Sequence, residues 1–267
     1  MAGLAFYAGE IARHEIEIIE RTIRLARLPD SFAGLKIVQI SDFHFEEYTE
    51  ATFLEAIVRK VNALRPDLVL LTGDFISSGP LPKRVSRRLV YHCAELLNQI
   101  ACPLRYAILG NHDALVGARV VIDALTTHEI PVLANSSLPL ERSGQRLWLA
   151  GTKDALVQRP DLTATLPTTR DVAREPLILL THEPDFADHA VGRQVDLMLS
   201  GHTHGGQILF PFLPPLLLPE MGTQYVHGLF KLQDGMQLYV NRGIGAVTLP
   251  FRFRCPPEIT VITLQPA

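Results

Sequence analysis

Five times along this chain a short apolar run stops at a polar motif rich in metal-ligating side chains. Lys36–Ser41 leads into Asp42-Phe43-His44, Asp67–Thr72 into Gly73-Asp74, and Arg105–Leu109 into Gly110-Asn111-His112-Asp113. Pro176–Thr181 then delivers His182-Glu183, and Val195–Ser200 delivers Gly201-His202-Thr203-His204-Gly205-Gly206. Short apolar runs bounded by glycine and polar residues read as buried strands. After the first run, Phe53, Ile57, Val61 and Leu64 recur at helical spacing, and Val85–Ile100 forms a second helix before the third run. Strand, motif, helix, strand, motif is the pattern of βαβ units feeding a parallel sheet. Ligands of such sheets gather outside the carboxyl ends of the strands, where each motif falls. Residues far apart in sequence can therefore meet in one cavity.

The second half repeats this logic with more antiparallel character. Arg146–Ala150, Gln224–Leu232, Gln237–Val240 and Ile259–Leu264 supply further strands, with Asp234-Gly235 as a hairpin turn. Ile11–Leu25 alternates charged and β-branched residues and contains a half-exposed strand. An α/β sandwich of two sheets with helices outside them is predicted. Its main domain spans 36–267, and segment 1–35 packs on or joins the sheet. A chain of 267 residues with 47% hydrophobic content can bury a full core. Neither an interdomain linker nor an internal repeat interrupts it.

The start, Met1 to Ala8, is short, apolar and uncharged. It reads as a first strand or as the end of a longer membrane segment, and it lacks the basic region of a signal peptide. Nothing in the chain approaches the roughly 20 apolar residues that span a bilayer. A cytoplasmic or membrane-peripheral location is expected. Cys93, Cys102 and Cys255 are unclustered and predicted to be buried thiols. A net charge of -3 argues against a dedicated nucleic-acid binder, so no stable nucleic-acid partner is expected.

The motifs hold five of the ten histidines together with carboxylates and one amide. Carboxylate, imidazole and amide oxygen suit Mn²⁺, Fe or Zn²⁺, whereas a structural zinc would draw on Cys. Asp42 and His44, one residue apart at a strand end, can reach the same cavity. Asp74 is the natural bridge, since a carboxylate can serve two cations. Asn111 offers an uncharged oxygen, and His182, His202 and His204 offer imidazole nitrogens. Two divalent ions held by two aspartates and one hydroxide keep a net positive charge, which draws in a phosphate anion. Such a pair generates a nucleophile at neutral pH and steadies both oxygens of an in-line displacement. Gly-His-Thr-His-Gly-Gly is the most specific of the motifs. His14, His92, His128, His189 and His227 lie outside them and read as solvated or core residues.

These blocks resemble the calcineurin-like metallophosphoesterases over nearly the whole chain, from about Lys36 to Leu264. The run His202–Ile208, the tail Asn241-Arg242-Gly243-Ile244-Gly245, Phe251-Arg252-Phe253 and Cys255–Ile259 are similar to the bacterial YkuE/YaeI-type branch. The resemblance implies a four-layer αββα sandwich of the metallo-dependent phosphatase type, hydrolysing phosphodiesters, pyrophosphates or phosphomonoesters. It implies one metal held by Asp42, His44, Asp74 and His204, and a second held by Asp74, Asn111, His182 and His202. His112 would touch the phosphate, steadying the transition state or protonating the leaving oxygen. In the protein-phosphatase branch an aspartate three residues after the Gly-Asp carboxylate orients this histidine. Here that position is Ser77. Asp113 adjoins His112 but is left outside the catalytic set.

After the last motif, Ile208–Pro219 is almost wholly apolar and rich in proline, which excludes a helix interior or central strand. It is predicted to be a loop beside the site. An apolar rim there fits a lipid-linked phosphoester and contact with a membrane surface through 208–219. Some relatives that the chain resembles act on UDP-diacylglucosamine, which has a diphosphate and acyl chains. A soluble phosphodiesterase of cyclic or small nucleotides would instead show nucleobase-stacking aromatics in a closed pocket. A retired, protein-binding scaffold would have lost ligands or His112, and all are present.

Overall fold

The computed structural model describes every residue except 1, 2, 4, 5, 80, 216 and 217. Its first sheet is built from β1 (Glu17–Leu25), β2 (Lys36–Ile40), β3 (Leu68–Leu71), β4 (Arg105–Ala107) and a C-terminal strand, Glu258–Pro266. Its second contains β5 (Ser136–Arg142), β6 (Gln145–Gly151), β7 (Leu177–Leu180), β8 (Leu197–Ser200), β9 (Gly228–Lys231) and β10 (Gln237–Val240). With Glu258–Pro266 as β11, the orders are β1-β11-β2-β3-β4 and β5-β6-β7-β8-β10-β9. Strands β2, β3 and β4 run parallel, as do β6, β7, β8 and β10. In the second sheet antiparallel pairing is confined to the edges, β5 on β6 and β9 on β10.

Alternation along these strands sorts the core into three layers. Val38, Ile40, Val69, Leu71 and Val261 face three helices, α1 (Ala51–Leu64), α2 (Lys83–Asn98) and α3 (Asn111–Thr127). Ile37, Leu68, Leu70 and Ile262 point the other way and meet Leu147, Ile178, Leu197 and Tyr239 of the second sheet. Gln39 belongs to that interior side. Its amide donates to Thr72 Oγ1 at 3.1 Å and to the Ser200 carbonyl at 2.9 Å, tying β2 to β8 just beneath the strand ends. Trp148, Leu177, Leu179, Met198 and Leu238 form the outer face of the second sheet. The fourth layer over them is thin, with the four-residue helices Leu162–Thr165 and Ala187–Ala190 among loops. The sandwich is therefore αββα, with its long helices on one side.

Several expectations need adjustment. Strand β9 begins at Gly228, because the backbone N–H groups of Thr223, Gln224 and Tyr225 donate to the Asp185 carboxylate and leave the sheet. The described part of the start is helical through Tyr7–Ile11 and Ala12–His14, not a strand. Helix α3 and strand β5 were not anticipated. Gly117, at φ 138°, interrupts the apolar period of α3, and Pro139 sits within β5 at the sheet edge. The three cysteines are buried and free. Among the described residues no helix is long and apolar enough to cross a membrane.

Candidate metal centre

Each donor predicted from the sequence sits in the turn that follows a parallel strand. Asp42 and His44 follow β2, Asp74 follows β3, Asn111 opens α3 after β4, His182 follows β7, and His202 and His204 follow β8. The backbone turns sharply at these places. Asp42 (φ 53°), His44 (φ 45°), Asp74 (φ 54°), His202 (φ 74°) and His204 (φ 51°) all lie in the left-handed region that side chains other than glycine seldom enter. Glycines let the turns crowd together. A Cβ on Gly73, itself at φ 99°, would stand 2.6 Å from the Gly110 nitrogen and 2.7 Å from His182 Nδ1. One on Gly201 would run into Ser41 Oγ and Asp42 Oδ2.

The donor atoms gather into two neighbouring clusters. Asp42, His44 and His204 form one, with His44 Nε2 3.0 Å from His204 Nε2 and His204 Nε2 3.5 Å from Asp42 Oδ1. Asp74, His182 and His202 form the other. Asp74 Oδ2 stands between them, 3.6 Å from His44 Nε2 and 3.2 Å from His182 Nε2. Its second oxygen, Oδ1, accepts the His112 backbone N–H at 3.0 Å. A single carboxylate oxygen therefore faces both clusters. His112 also lies close enough to His44 and Asp74 to form a third grouping with them.

Hydrogen bonds outside the clusters decide which nitrogen each ring turns inward. His182 Nδ1–H donates to the Thr72 carbonyl at 2.7 Å, leaving Nε2 for the centre. His202 Nε2–H donates to the Glu220 carbonyl at 2.8 Å, leaving Nδ1. His44 Nδ1 pairs with Ser77 Oγ at 2.9 Å. Outer-sphere partners of this kind fix tautomer and ring orientation at metal sites. His204 differs: its Nδ1 lies 3.4 Å from Arg252 Nη2, and Arg252 is wholly buried. That guanidinium donates to the carbonyls of Arg242, Gly243, Gly245 and Cys255. The same tail braces the Asp42 turn, through Ile244 N–H to the Ser41 carbonyl and Gly245 N–H to the Asp42 carbonyl.

The electrostatics match a place built for cations. Burial pushes the Asp42 carboxyl up to about 6. It lowers His44 to about 3, His202 to about 4 and His204 well below the ordinary imidazole value. Burial also works against charge on Asp74, but His182, His112 and His44 hold its carboxyl well below the usual range. On His182 burial opposes a proton, and the carboxylates of Asp74 and Asp42 outweigh it and raise the group strongly. The carboxylates thus favour positive charge beside them while burial disfavours it on the other rings, the setting in which a metal would supply that charge. Asn111 Oδ1 provides an independent test of fit. It is buried with no hydrogen-bond partner, a costly state for an amide oxygen unless something electropositive takes it up.

Two residues flagged at the sequence level take other places. Ser77 serves His44, as above. Asp113 accepts the N–H groups of Gly110 at 3.0 Å and Phe75 at 2.9 Å, so it caps α3 and holds the loop after β3. Neither is hydrogen-bonded to the His112 ring. That ring is met by Ser78, whose N–H and Oγ both lie 3.1 Å from Nδ1. Ser78 escaped sequence reading because a backbone donor carries no side-chain signature. Arg252 was visible only as part of an unexplained tail motif.

The centre opens into a cavity of about 250 Å³. Asp74, Asn111, His112, His202 and His204 form its polar side, and Leu218, Pro219 and Val247 its apolar side. Residues 35–206 match the family model described as calcineurin-like phosphoesterase. The chain is 37% identical to the uncharacterized metallophosphoesterase YkuE of Bacillus subtilis, over 97% of this chain and 89% of that one. It is 28% identical to the phosphodiesterase YaeI of Escherichia coli, over 90% and 86% of the two chains. It is 30% identical to the UDP-2,3-diacylglucosamine pyrophosphatase LpxG of Chlamydia trachomatis, over 88% and 86%. Strand-end motifs, clustered donors and matches of this extent agree: the chain belongs to the calcineurin-like family of metal-dependent phosphoric ester hydrolases.

Proposed function

We propose that the protein hydrolyses a phosphodiester or pyrophosphate bond with a pair of divalent metal ions, and that its substrate is lipid-linked. The observation that carries the hydrolytic reading is Asp74 Oδ2 standing between two donor clusters, with His112 lining the cavity they open into. Asp42, His44, Asp74 and His204 would hold one ion; Asp74, Asn111, His182 and His202 would hold the other. Mn²⁺, Fe or Zn²⁺ fits this mixture of imidazole, carboxylate and amide oxygen. When bound, such a pair supplies Lewis acidity and an acidified water. The chain itself orients the donors from outside, through Thr72, Glu220 and Ser77. His112 supplies a side-chain donor at the cavity for the phosphate oxygens.

Stripping the purified protein of metal should abolish hydrolysis of bis(p-nitrophenyl) phosphate, and reloading with Mn²⁺ should restore it. No turnover with both ions bound would overturn this reading in favour of a binding scaffold.

The lipid reading rests on the rim. Phe212 is fully exposed, Leu213 is 58% exposed, and Phe210 and Leu249 project partly into solvent. In sequence these positions flank Leu218, Pro219 and Val247 of the apolar side of the cavity. Leu216 and Leu217, part of the same apolar run, lie outside the described residues. Among the described lining residues there is no Phe, Tyr or Trp to stack on a base, which disfavours a nucleotide phosphodiesterase. The acyl chains and diphosphate in the substrate name of the Chlamydia relative have the same combination of features. Burying an exposed Phe or Leu side chain is worth roughly 1.5–3 kcal/mol. The double variant Phe212→Ser/Leu213→Ser should therefore bind phosphatidylcholine–phosphatidylglycerol vesicles at least about tenfold more weakly, by sedimentation. Unchanged vesicle binding, with unchanged activity on lipid pyrophosphates, would remove the lipid reading.

A further inference from the structure

A backbone N–H can only donate a hydrogen bond. The Ser78 N–H points at His112 Nδ1 from 3.1 Å, so that nitrogen is an acceptor and carries no proton. Ser78 Oγ, also 3.1 Å away, can donate to the same nitrogen. In the neutral ring the remaining proton is then on Nε2, the nitrogen left free for the cavity that His112 lines. Two of the acidic groups near the ring are committed elsewhere, while Glu47, within electrostatic reach of it, makes no hydrogen bond to it. Asp113 accepts backbone N–H groups of Gly110, Phe75 and Ile76. Asp74 receives the His112 backbone N–H and not its ring.

We propose that Ser78 is the positioning residue of the site, holding His112 as a fixed Nε2–H donor that steadies a phosphate oxygen without giving up its proton. The proposal rests on the phosphoesterase reading above and decides between the two roles open to this histidine. Full transfer of the Nε2 proton would leave an imidazolate with Nδ1 still facing a donor, so no proton changes hands at His112. Water attacks phosphorus and gives up a proton to solvent, the bond to the leaving oxygen breaks, and that oxygen takes a proton from solvent. His112 acts as one preorganised donor aimed at developing charge, a contribution of roughly 10²–10³ in rate where such donors have been removed. A general acid would be distinguished by its leaving group, since its help grows as the departing oxygen becomes more basic.

The test uses Zn²⁺-loaded protein labelled with ¹⁵N in histidine, the His112 resonances being assigned by their loss in His112→Ala. The expected spectrum has a protonated Nε2 and an imine-type Nδ1. Ser78→Ala, which removes the hydroxyl and keeps the N–H, should retain that pattern. In parallel, His112→Ala is compared with wild type on bis(p-nitrophenyl) phosphate and on diphenyl phosphate. The proposal expects the same loss on both esters to within about threefold. A proton on Nδ1 overturns it, as does a loss at least about tenfold greater on the phenyl ester. Should wild type carrying its ions hydrolyse neither ester, the phosphoesterase reading fails and takes the donor role with it. The nitrogen spectrum would still decide which nitrogen of His112 carries the proton.

Discussion

Asp74→Asn should strip the protein of both metal ions, not of one. The His112 backbone N–H donates to Asp74 Oδ1, so an asparagine at this position will place its carbonyl oxygen there to accept it. Its NH₂ group then occupies the position of Oδ2, between His44 Nε2 and His182 Nε2, and aims two donors at the place where cations belong. The substitution thus removes a charge and inverts a dipole at one stroke. Changes to outer partners of metal ligands cost about 10–100-fold in affinity, so if Asp74 is the shared ligand proposed above, its loss should cost at least about 100-fold at each site. Elemental analysis after dialysis should find both ions depleted, with turnover of bis(p-nitrophenyl) phosphate at background. A variant retaining two ions per chain would remove the bridging role.

His112→Ala should behave in the opposite way, keeping its metal and losing its rate. The ring lies near enough to His44 and Asp74 to complete a three-residue grouping, so proximity alone does not separate a ligand from a substrate contact. The hydrogen bonds separate them. Asp74 already meets the inward-facing nitrogens of His44 and His182, while His112 is held from behind by Ser78 on the cavity wall. A loss of about 10²–10³ in kcat, with two ions per chain by elemental analysis, is expected. Depletion of either ion would make His112 a ligand.

The contrast between these variants mirrors what could be read before the structure. Asp74 and the imidazoles were legible because strand ends in a parallel sheet converge, and the apolar runs Lys36–Ser41 and Val195–Ser200 announce those ends. The partners that govern the rings were not. Thr72 and Glu220 act through carbonyls and Ser78 through an N–H, groups that every residue carries. Helix α3 was obscured for a different reason. Gly117 breaks its period, and its first turn is spent on Asn111, His112 and Asp113, which face the centre, the cavity and the loop after β3. The thin fourth layer is equally hard to foresee. The outer face of the second sheet is covered mostly by loops, whose burial leaves no periodic trace.

Five left-handed residues in one site have a consequence for how long the protein lasts. Each such bend costs roughly 1 kcal/mol or more for a residue with a side chain. Asp42, His44, Asp74, His202 and His204 together thus set several kcal/mol against a domain whose whole margin is of order 5–15 kcal/mol. Ions that bind only the folded chain return that energy, about 4 kcal/mol per site at a thousand times the dissociation constant. The metal-free protein should therefore melt at a clearly lower temperature and be cut first by protease near the turns after β2, β3 and β8. If melting and cleavage were indifferent to metal, the bends would carry no such cost. In a cell short of metal, such a protein would be cleared and not merely idle, so its abundance would follow the supply of the ions it needs.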